Sequence, residues 1–425
     1  MKTRPDHETP PAHEREPLWT PYTVALLAII VLASAAVRAA WIAYANVNPL
    51  DGRFDDTVFY FTSAQSLARD FTFRDNFGRY TAHWPPGYPL VLSGVFATVG
   101  THLLAAKALN VAISAATVVL TYAVGGRAFG VRAGLLGALL LALAPGHAYF
   151  STLVMAEVLF AFGFLAVTAL LIWWTIDPER AGWVRLLALG IATGCLTLVR
   201  AEAVFLPIVF AVLWKFLLPG WRSLLRYSAI FAIGFVLALT PWTVRNALRF
   251  HEFLPLRDGS QSGLANGLDP NYLQRADRFS APAPPLRDTA GYMARHPWEL
   301  APLQIDKLRY LYRNDSDAVE WLQHDNHGLL TPSEVRRWSR VADWYFFAIA
   351  ALALLAAPLL LRAPDRRRVA LAYVIAAWTA ILIIAWPETR YHLPVVPLAC
   401  MFAAWVLVSA CGWVWRARDH SPRRC

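Results

Sequence analysis

Residues 23–45 read TVALLAIIVLASAAVRAAWIAYA, and residues 51–90, a few positions on, read DGRFDDTVFYFTSAQSLARDFTFRDNFGRYTAHWPPGYPL. The first stretch carries a single charge and has the roughly 20 residues that a helix needs to cross a bilayer core. The second is polar, acidic at its start and rich in aromatic residues. Its Asp55-Asp56 pair opens an amphipathic run with Tyr60, Ala64, Leu67 and Ala68 on one helical face, suited to lying along a surface. A His83-Trp84-Pro85-Pro86-Gly87-Tyr88-Pro89 turn closes it. More apolar blocks follow, which predicts an all-α polytopic membrane protein organised around its first polar loop.

Composition agrees. Of 425 residues, 57% are hydrophobic and 16% charged, against about 25% charged in ordinary soluble domains. Mean hydropathy is +0.40. The formal charge of +10 is mostly arginine, and its collection in short loops is a topological signal rather than a nucleic-acid footprint. Cys195, Cys400 and Cys411 fall in apolar segments and Cys425 is terminal, so free thiols are expected. The first eighteen residues (MKTRPDHETPPAHEREPL) are too acidic and proline-rich for a signal peptide and read as a cytoplasmic tail.

Taken in order, the chain suggests roughly ten transmembrane helices. These are Thr23–Ala45, Leu103–Val124, Ala133–Tyr149, Val158–Ile176, Val184–Val199, Ala203–Leu217, one reaching Trp242, Val341–Leu361, Val369–Trp386 and Leu393–Trp415. Pro89–Gly100 is too short to span and reads as interfacial. The divisions are a tail 1–20, a transmembrane catalytic module 21–243 with an outer loop 46–101, an extracytoplasmic insertion 244–340, C-terminal helices 341–415 and a tail 416–425. The insertion is too long for a simple connection.

With the N-terminus inside, Arg127/Arg132, Arg180/Arg185, Arg222/Arg226 and Arg362–Arg368 all fall on the cytoplasmic side. The Asp55 loop, the His147–Glu157 turn, Arg200–Glu202 and Glu388–His392 then share the outer face. Asp55 and Asp56 are either solvated loop carboxylates, one capping a helix, or a general base toward an acceptor hydroxyl. Glu157, at the mouth of an apolar helix, is costly there and hence a functional candidate. Arg200 either pairs with Glu202 or holds a lipid phosphate. Arg390 lies in Trp386-Pro-Glu-Thr-Arg-Tyr-His-Leu-Pro394, where Pro394 and Pro397 suggest a broken helix lining a cavity. His83 is fixed near the surface by its turn, and Tyr88 reads as interfacial.

The acidic pair after the first span, followed by PPGYP, resembles the GT-C superfamily of polyprenyl-phosphate-sugar-dependent glycosyltransferases. The Pro145–Glu157 turn, Leu196-Thr-Leu-Val-Arg200, Pro241–Asn246 leading to Phe253–Leu256, and Arg390–Pro394 are similar to the bacterial protein O-mannosyltransferase and aminoarabinose-transferase type. The resemblance implies a GT-C-like fold and a catalytic Asp55. Asp56 stands where many members carry glutamate, and His83 where the aminoarabinose type has lysine. Glu157 is implied as a second acidic residue, Arg200 and Arg390 as ligands of the donor phosphate, and Tyr88, His83, Tyr391 and His392 as substrate contacts.

The reading that follows is a bacterial inner-membrane transferase with an extracytoplasmic active site. Its partners are the bilayer, a polyprenyl-phosphate-linked sugar and a glycan, lipid or protein acceptor, with no nucleic acid. No cofactor and no metal site is expected; no Walker or dinucleotide motif is present. A transporter or lipid flippase also uses broken helices and intramembrane charge, but here the charges gather at outer span ends and the halves show no hydropathy repeat. A non-catalytic envelope scaffold docking through 245–340 is a further rival.

Overall fold

The computed structural model describes residues 17–46, 48, 56–177, 181–257, 262–273, 284–325, 330–362 and 364–419. Among these there is no strand beyond an isolated bridge between Arg74 and Tyr80. The helices are α1 (Pro21–Ala45), α2 (Asp56–Asp70), α3 (Gly87–Val99), α4 (Leu103–Phe129), α5 (Val131–Leu143), α6 (Pro145–Tyr149), α7 (Glu157–Thr175), α8 (Trp183–Val199), α9 (Leu206–Leu217) and α10 (Gly220–Phe250). After these come α11 (Ser262–Gly267), α12 (Leu286–Arg295), α13 (Leu300–Leu311), α14 (Asp317–Asp325), α15 (Pro332–Leu354), α16 (Ala357–Arg362), α17 (Arg366–Ile384) and α18 (Val396–Asp419).

Local chemistry sets several starts. Thr20 and Thr23 form a capping box ahead of α1, with Pro21 in its first turn, which satisfies otherwise orphaned amides. Thr331 and Glu334 do the same for α15, and Tyr44 Oη donates to Glu334 Oε1 at 2.7 Å, tying the end of α1 to the start of α15.

Among the described residues, seven helices are long and apolar enough to cross a membrane, or eight if a bent pair counts as one. The difference from ten spans has physical causes. The expected span 133–149 breaks by 55° between Leu143 and Pro145: Pro145 lacks an amide proton and drives Ala144 into extended backbone. The stretch 203–217 divides into a 3₁₀ turn, Ala201–Phe205, and the twelve-residue α9. The helix α8 has 17 residues, about 26 Å, and packs closely along α10. A Cβ on Gly190 would collide with the Phe231 carbonyl, and one on Gly234 with that of Leu187; small residues let the two backbones meet.

Two long helices run through expected divisions. The 31 residues of α10 continue past 243 and project beyond a bilayer core. There Arg245 donates from Nη1 to Thr81 O at 2.8 Å and from Nη2 to Phe73 O at 3.1 Å, holding the first loop down. Similarly, α15 crosses position 341. The first loop carries α2 and α3 as the surface-lying helices expected of it, with Phe59, Tyr60, Phe61 and Ala64 of α2 buried.

Candidate active site

Glu157 is the first residue of α7, at the positive end of a helix dipole, and is 3% exposed. A carboxylate buried there requires partners, and two arginines supply them. Arg200 Nη1 donates to Glu157 Oε1 at 2.5 Å, and Arg390 Nη1 lies 3.2 Å from the same oxygen. The other oxygen, Oε2, is buried without a hydrogen-bond partner among the described residues. The Arg200–Glu157–Arg390 bridge thus leaves one carboxylate oxygen unused.

Arg200 occupies the extended position that ends α8. Its Nε is 3.5 Å from Glu202 Oε2, and its guanidinium lies 4.5 Å over the Tyr391 ring. Burial works against its charge, but the Glu202 and Glu157 carboxylates outweigh burial and raise Arg200 above its ordinary value. Glu202 answers in kind: burial favours its neutral form, yet Arg200 holds it below the usual carboxylate range.

Arg390 belongs to a 3₁₀ segment, Thr389–Val395. Its Nη1 donates to Asp56 Oδ2 at 3.2 Å, its Nε to Glu388 Oε2 at 2.7 Å, and it stacks 4.9 Å over Trp321. One fork thus joins the first loop, the start of α7 and the last outer turn. A narrow cavity opens beside it, with Glu157, Arg200, Glu202 and Arg390 on its polar wall and Phe160, Trp378, Leu393 and Pro394 on its apolar wall.

The 3₁₀ period of three residues sorts the rest. Thr389 and His392 share a face turned away from Arg390's partners. The Thr389 hydroxyl donates to Asp317. His392 bonds through Nε2 to Asp315 Oδ1 at 3.0 Å and through Nδ1 to Leu311 O at 3.1 Å. Burial pushes the Asp315 carboxyl up, and that of Asp317 to about 6. Asp315 also fills the space at Gly146, where a Cβ would strike its carboxylate.

The predicted residues therefore separate. Asp56, Glu157, Arg200, Arg390 and Tyr391 come together at the cavity. Asp55 lies outside the described residues. Tyr88 is fully buried beneath Tyr60, its hydroxyl donating to Asn110 Oδ1 at 3.1 Å, so it supports the loop from below and is not placed to touch substrate. His392, with both ring nitrogens taken, is likewise a buried support. His83 is exposed, its ring edge-on to Trp84 at 4.7 Å. His147 bonds through Nε2 to Leu393 O at 3.0 Å, a structural tie. The expected choice for Arg200 between Glu202 and a phosphate misses its shortest contact, Glu157.

Sequence reasoning missed Arg257, Asp315 and Asp317. Arg257 sits 4.9 Å over Trp84 and 5.4 Å over Trp386, so the His83–Pro89 turn and the Trp386–Pro394 segment both hold it. In sequence it is one more arginine in a polar stretch. Asn314-Asp315-Ser316-Asp317 reads as a solvated loop, and only its burial against the 3₁₀ segment distinguishes it.

Comparison with known proteins bears on the fold. Residues 83–244 match the profile of the dolichyl-phosphate-mannose-protein mannosyltransferase family, a stretch that includes Glu157 and Arg200 and stops before Arg390. Among solved structures, ArnT from Cupriavidus metallidurans bound to undecaprenyl phosphate is similar at a TM-score of 0.56 and 16% identity, over 92% of this chain and 64% of that one. The oligosaccharyltransferase AglB from Archaeoglobus fulgidus, in complex with an inhibitory peptide and a dolichol-phosphate, matches at 0.56 and 14%, over 95% of this chain and 52% of that one. The apo form of the Archaeoglobus fulgidus oligosaccharyltransferase matches at 0.56 and 15%, over 93% and 51%. The chain thus spans about half to two thirds of the length of these proteins. No curated protein sequence matches it.

Proposed function

We infer from its GT-C glycosyltransferase architecture that this integral membrane protein transfers a sugar from a polyprenyl-phosphate-linked donor to an acceptor hydroxyl at the bilayer surface. The observation that carries this is the sharing of Glu157 Oε1 by Arg200 and Arg390, with Asp56 on the same fork. Cations for a phosphate, carboxylates for a proton and an apolar wall for a lipid thereby meet at one end of the spans. Two of the proteins it resembles in fold, ArnT and AglB, are seen bound to undecaprenyl phosphate and in complex with a dolichol-phosphate, respectively.

In this reading the donor phosphate takes up the guanidinium faces of Arg200 and Arg390. Four carboxylates, Asp56, Glu157, Glu202 and Glu388, crowd those two arginines, so the phosphate must displace some of them. The longest contact, Glu202 at 3.5 Å, yields most readily, and Arg257, whose charge reaches Glu202, adds a third cation nearby. A first-loop carboxylate accepts the proton of the acceptor hydroxyl. The hydroxyl oxygen attacks the anomeric carbon, the bond from that carbon to the phosphate oxygen breaks, and its electron pair leaves with the polyprenyl phosphate. Asp55 is the proposed base because it is the aspartate that the resemblance puts in the catalytic role, with Asp56 beside it in the first loop. Positioning and general-base assistance suffice for such a leaving group, and the guanidinium groups supply the positive charge that a metal otherwise provides.

The arginine distribution supports an inner-membrane protein with this site on the extracytoplasmic side; the acceptor class, glycan, lipid or protein, stays open. The test is transfer of labelled sugar from a polyprenyl-phosphate donor in membrane vesicles, with chelator present throughout. Asp55→Asn should abolish transfer at unchanged expression, whereas Asp56→Asn should lower it less. Full transfer by Asp55→Asn overturns the assignment of the base. Protein-dependent solute uptake without transfer favours a transporter.

A further inference from the structure

The opposite end of the bundle holds a second polar cavity that sugar transfer does not use. It lies where α4, α7, α8 and α17 come together, has a volume of about 430 Å³, and is lined by Arg127, Arg185, Arg367, Asp177, Trp173 and Trp174 among others. That volume is in the range of small-molecule sites. The 19-residue α7 connects the two cavities, with Glu157 at one end and Trp173 and Trp174 near the other, about 25 Å away.

Among the described residues, three arginines and one aspartate line this cavity, the reverse of the balance around Glu157. Arg127 is exposed and rests 4.6 Å over the Trp173 ring, its Nη1 donating to Ala123 O at 3.1 Å. Arg367 Nη1 reaches Arg127 O at 3.4 Å. These contacts orient the two side chains through rings and carbonyls, and among the described residues no ion pair takes up either charge. Arg185 opens the exposed first turn of α8 beside Trp183, which is 61% exposed.

We propose that this cavity binds the phosphate of an anionic glycerophospholipid, seated by Arg127 and Arg367 from the cytoplasmic leaflet. Guanidinium forks match phosphate geometry. Basic pockets between transmembrane helices on the cytoplasmic side suit anionic headgroups, and that leaflet is negatively charged. Exposed tryptophans such as Trp183 place this end at headgroup depth. A lipid fits better than a free anion because Ile172, Trp173, Trp174 and Ile176 line the cavity beside its arginines, and Trp183 and Val184 at the start of α8 are exposed, an apolar surface on which acyl chains can lie. Its binding would clasp together the inner ends of helices whose outer ends carry Glu157 and the 3₁₀ segment of Arg390.

The experiment is native mass spectrometry of the purified full chain in detergent. It is offered short-chain phosphatidylglycerol, phosphatidylcholine of the same chain length, or phosphatidylglycerol with competing inorganic phosphate. The unaltered protein should retain phosphatidylglycerol over phosphatidylcholine. The double variant R127Q/R367Q should lose that retention by roughly thirtyfold, about 1 kcal/mol for each charge removed. R362Q, at an exposed arginine outside the cavity, should match the unaltered protein. Equal retention of the two lipids, or an R127Q/R367Q protein that binds like the parent, overturns the proposal. Displacement of the lipid by equimolar inorganic phosphate makes the site one for free phosphate and overturns the lipid assignment. Should R127Q/R367Q fail to fold, the headgroup preference of the unaltered protein decides by itself.

Discussion

At one end of the bundle Arg200 and Arg390 are enclosed and bridged by Asp56, Glu157, Glu202 and Glu388; at the other, Arg127 is exposed and rests on Trp173 in a cavity whose described lining holds one aspartate. The contrast follows from desolvation. A guanidinium taken out of water must be answered by charge or it destabilises the fold, whereas one that keeps contact with water can rest on an indole ring and leave its charge available. The enclosed end is therefore organised before any ligand arrives, and a donor phosphate must compete with carboxylates for it. The open end attracts an anion directly.

The largest effect is expected where this pairing is densest. Glu157→Gln keeps the side chain's volume but removes the charge that both arginines share. It should cost about 3–5 kcal/mol in thermal unfolding in detergent and reduce transfer to background. A loss below about 1 kcal/mol, the scale of an exposed pair, would erase the distinction between the two ends.

Arg390→Lys sharpens the same comparison without changing charge. Arg390 uses Nη1 toward Asp56 and Glu157 and Nε toward Glu388, and a lysine cannot reproduce that fork. Transfer should fall by roughly 10²-fold, read as initial rate in vesicles, while the melting temperature moves much less than in Glu157→Gln. Near-normal transfer would mean that charge alone, rather than the geometry of the fork, serves the site.

Asp317 tests the rule from the carboxylate side. It is buried and held by the Thr389 hydroxyl, and burial raises its carboxyl from 3.8 to about 6. Because the folded value is the higher one, the stability it contributes is fully present below about pH 3.8 and is lost as pH rises through about 6. Asp317→Asn removes this titration. Between about pH 4 and pH 7 the parent should lose on the order of 1–3 kcal/mol relative to the variant, measured as unfolding free energy against pH. Parallel curves would show that neighbouring cations offset the burial.

Much of this molecule was readable residue by residue. The apolar blocks, the polar first loop, its surface-lying helices and the arginine-rich short loops follow from the inability of lipid to solvate charge or open backbone. The motif set pointed first to Asp55, which lies outside the described residues, and then to Asp56, Glu157, Arg200 and Arg390, each of which lies within hydrogen-bond reach of another. Other features depend on distances in sequence that no local pattern encodes. Glu157 and Arg390 are far apart in the chain and share one oxygen contact. Arg257 is held by two tryptophans from different motifs. A 3₁₀ period turns His392 toward Asp315 while leaving Arg390 at the cavity.

What the sequence by itself determined was that the chain is a bundle of apolar helices around a polar first loop, because transfer from water to lipid is additive over neighbouring residues. How many of those helices are long enough to cross was settled by where they break. What only the tertiary structure decided was which arginine answers which carboxylate, and hence which end is closed by pairing and which is open to an anion. Pairing depends on burial and approach within about 3 Å, and both are set by how helices distant in sequence pack together.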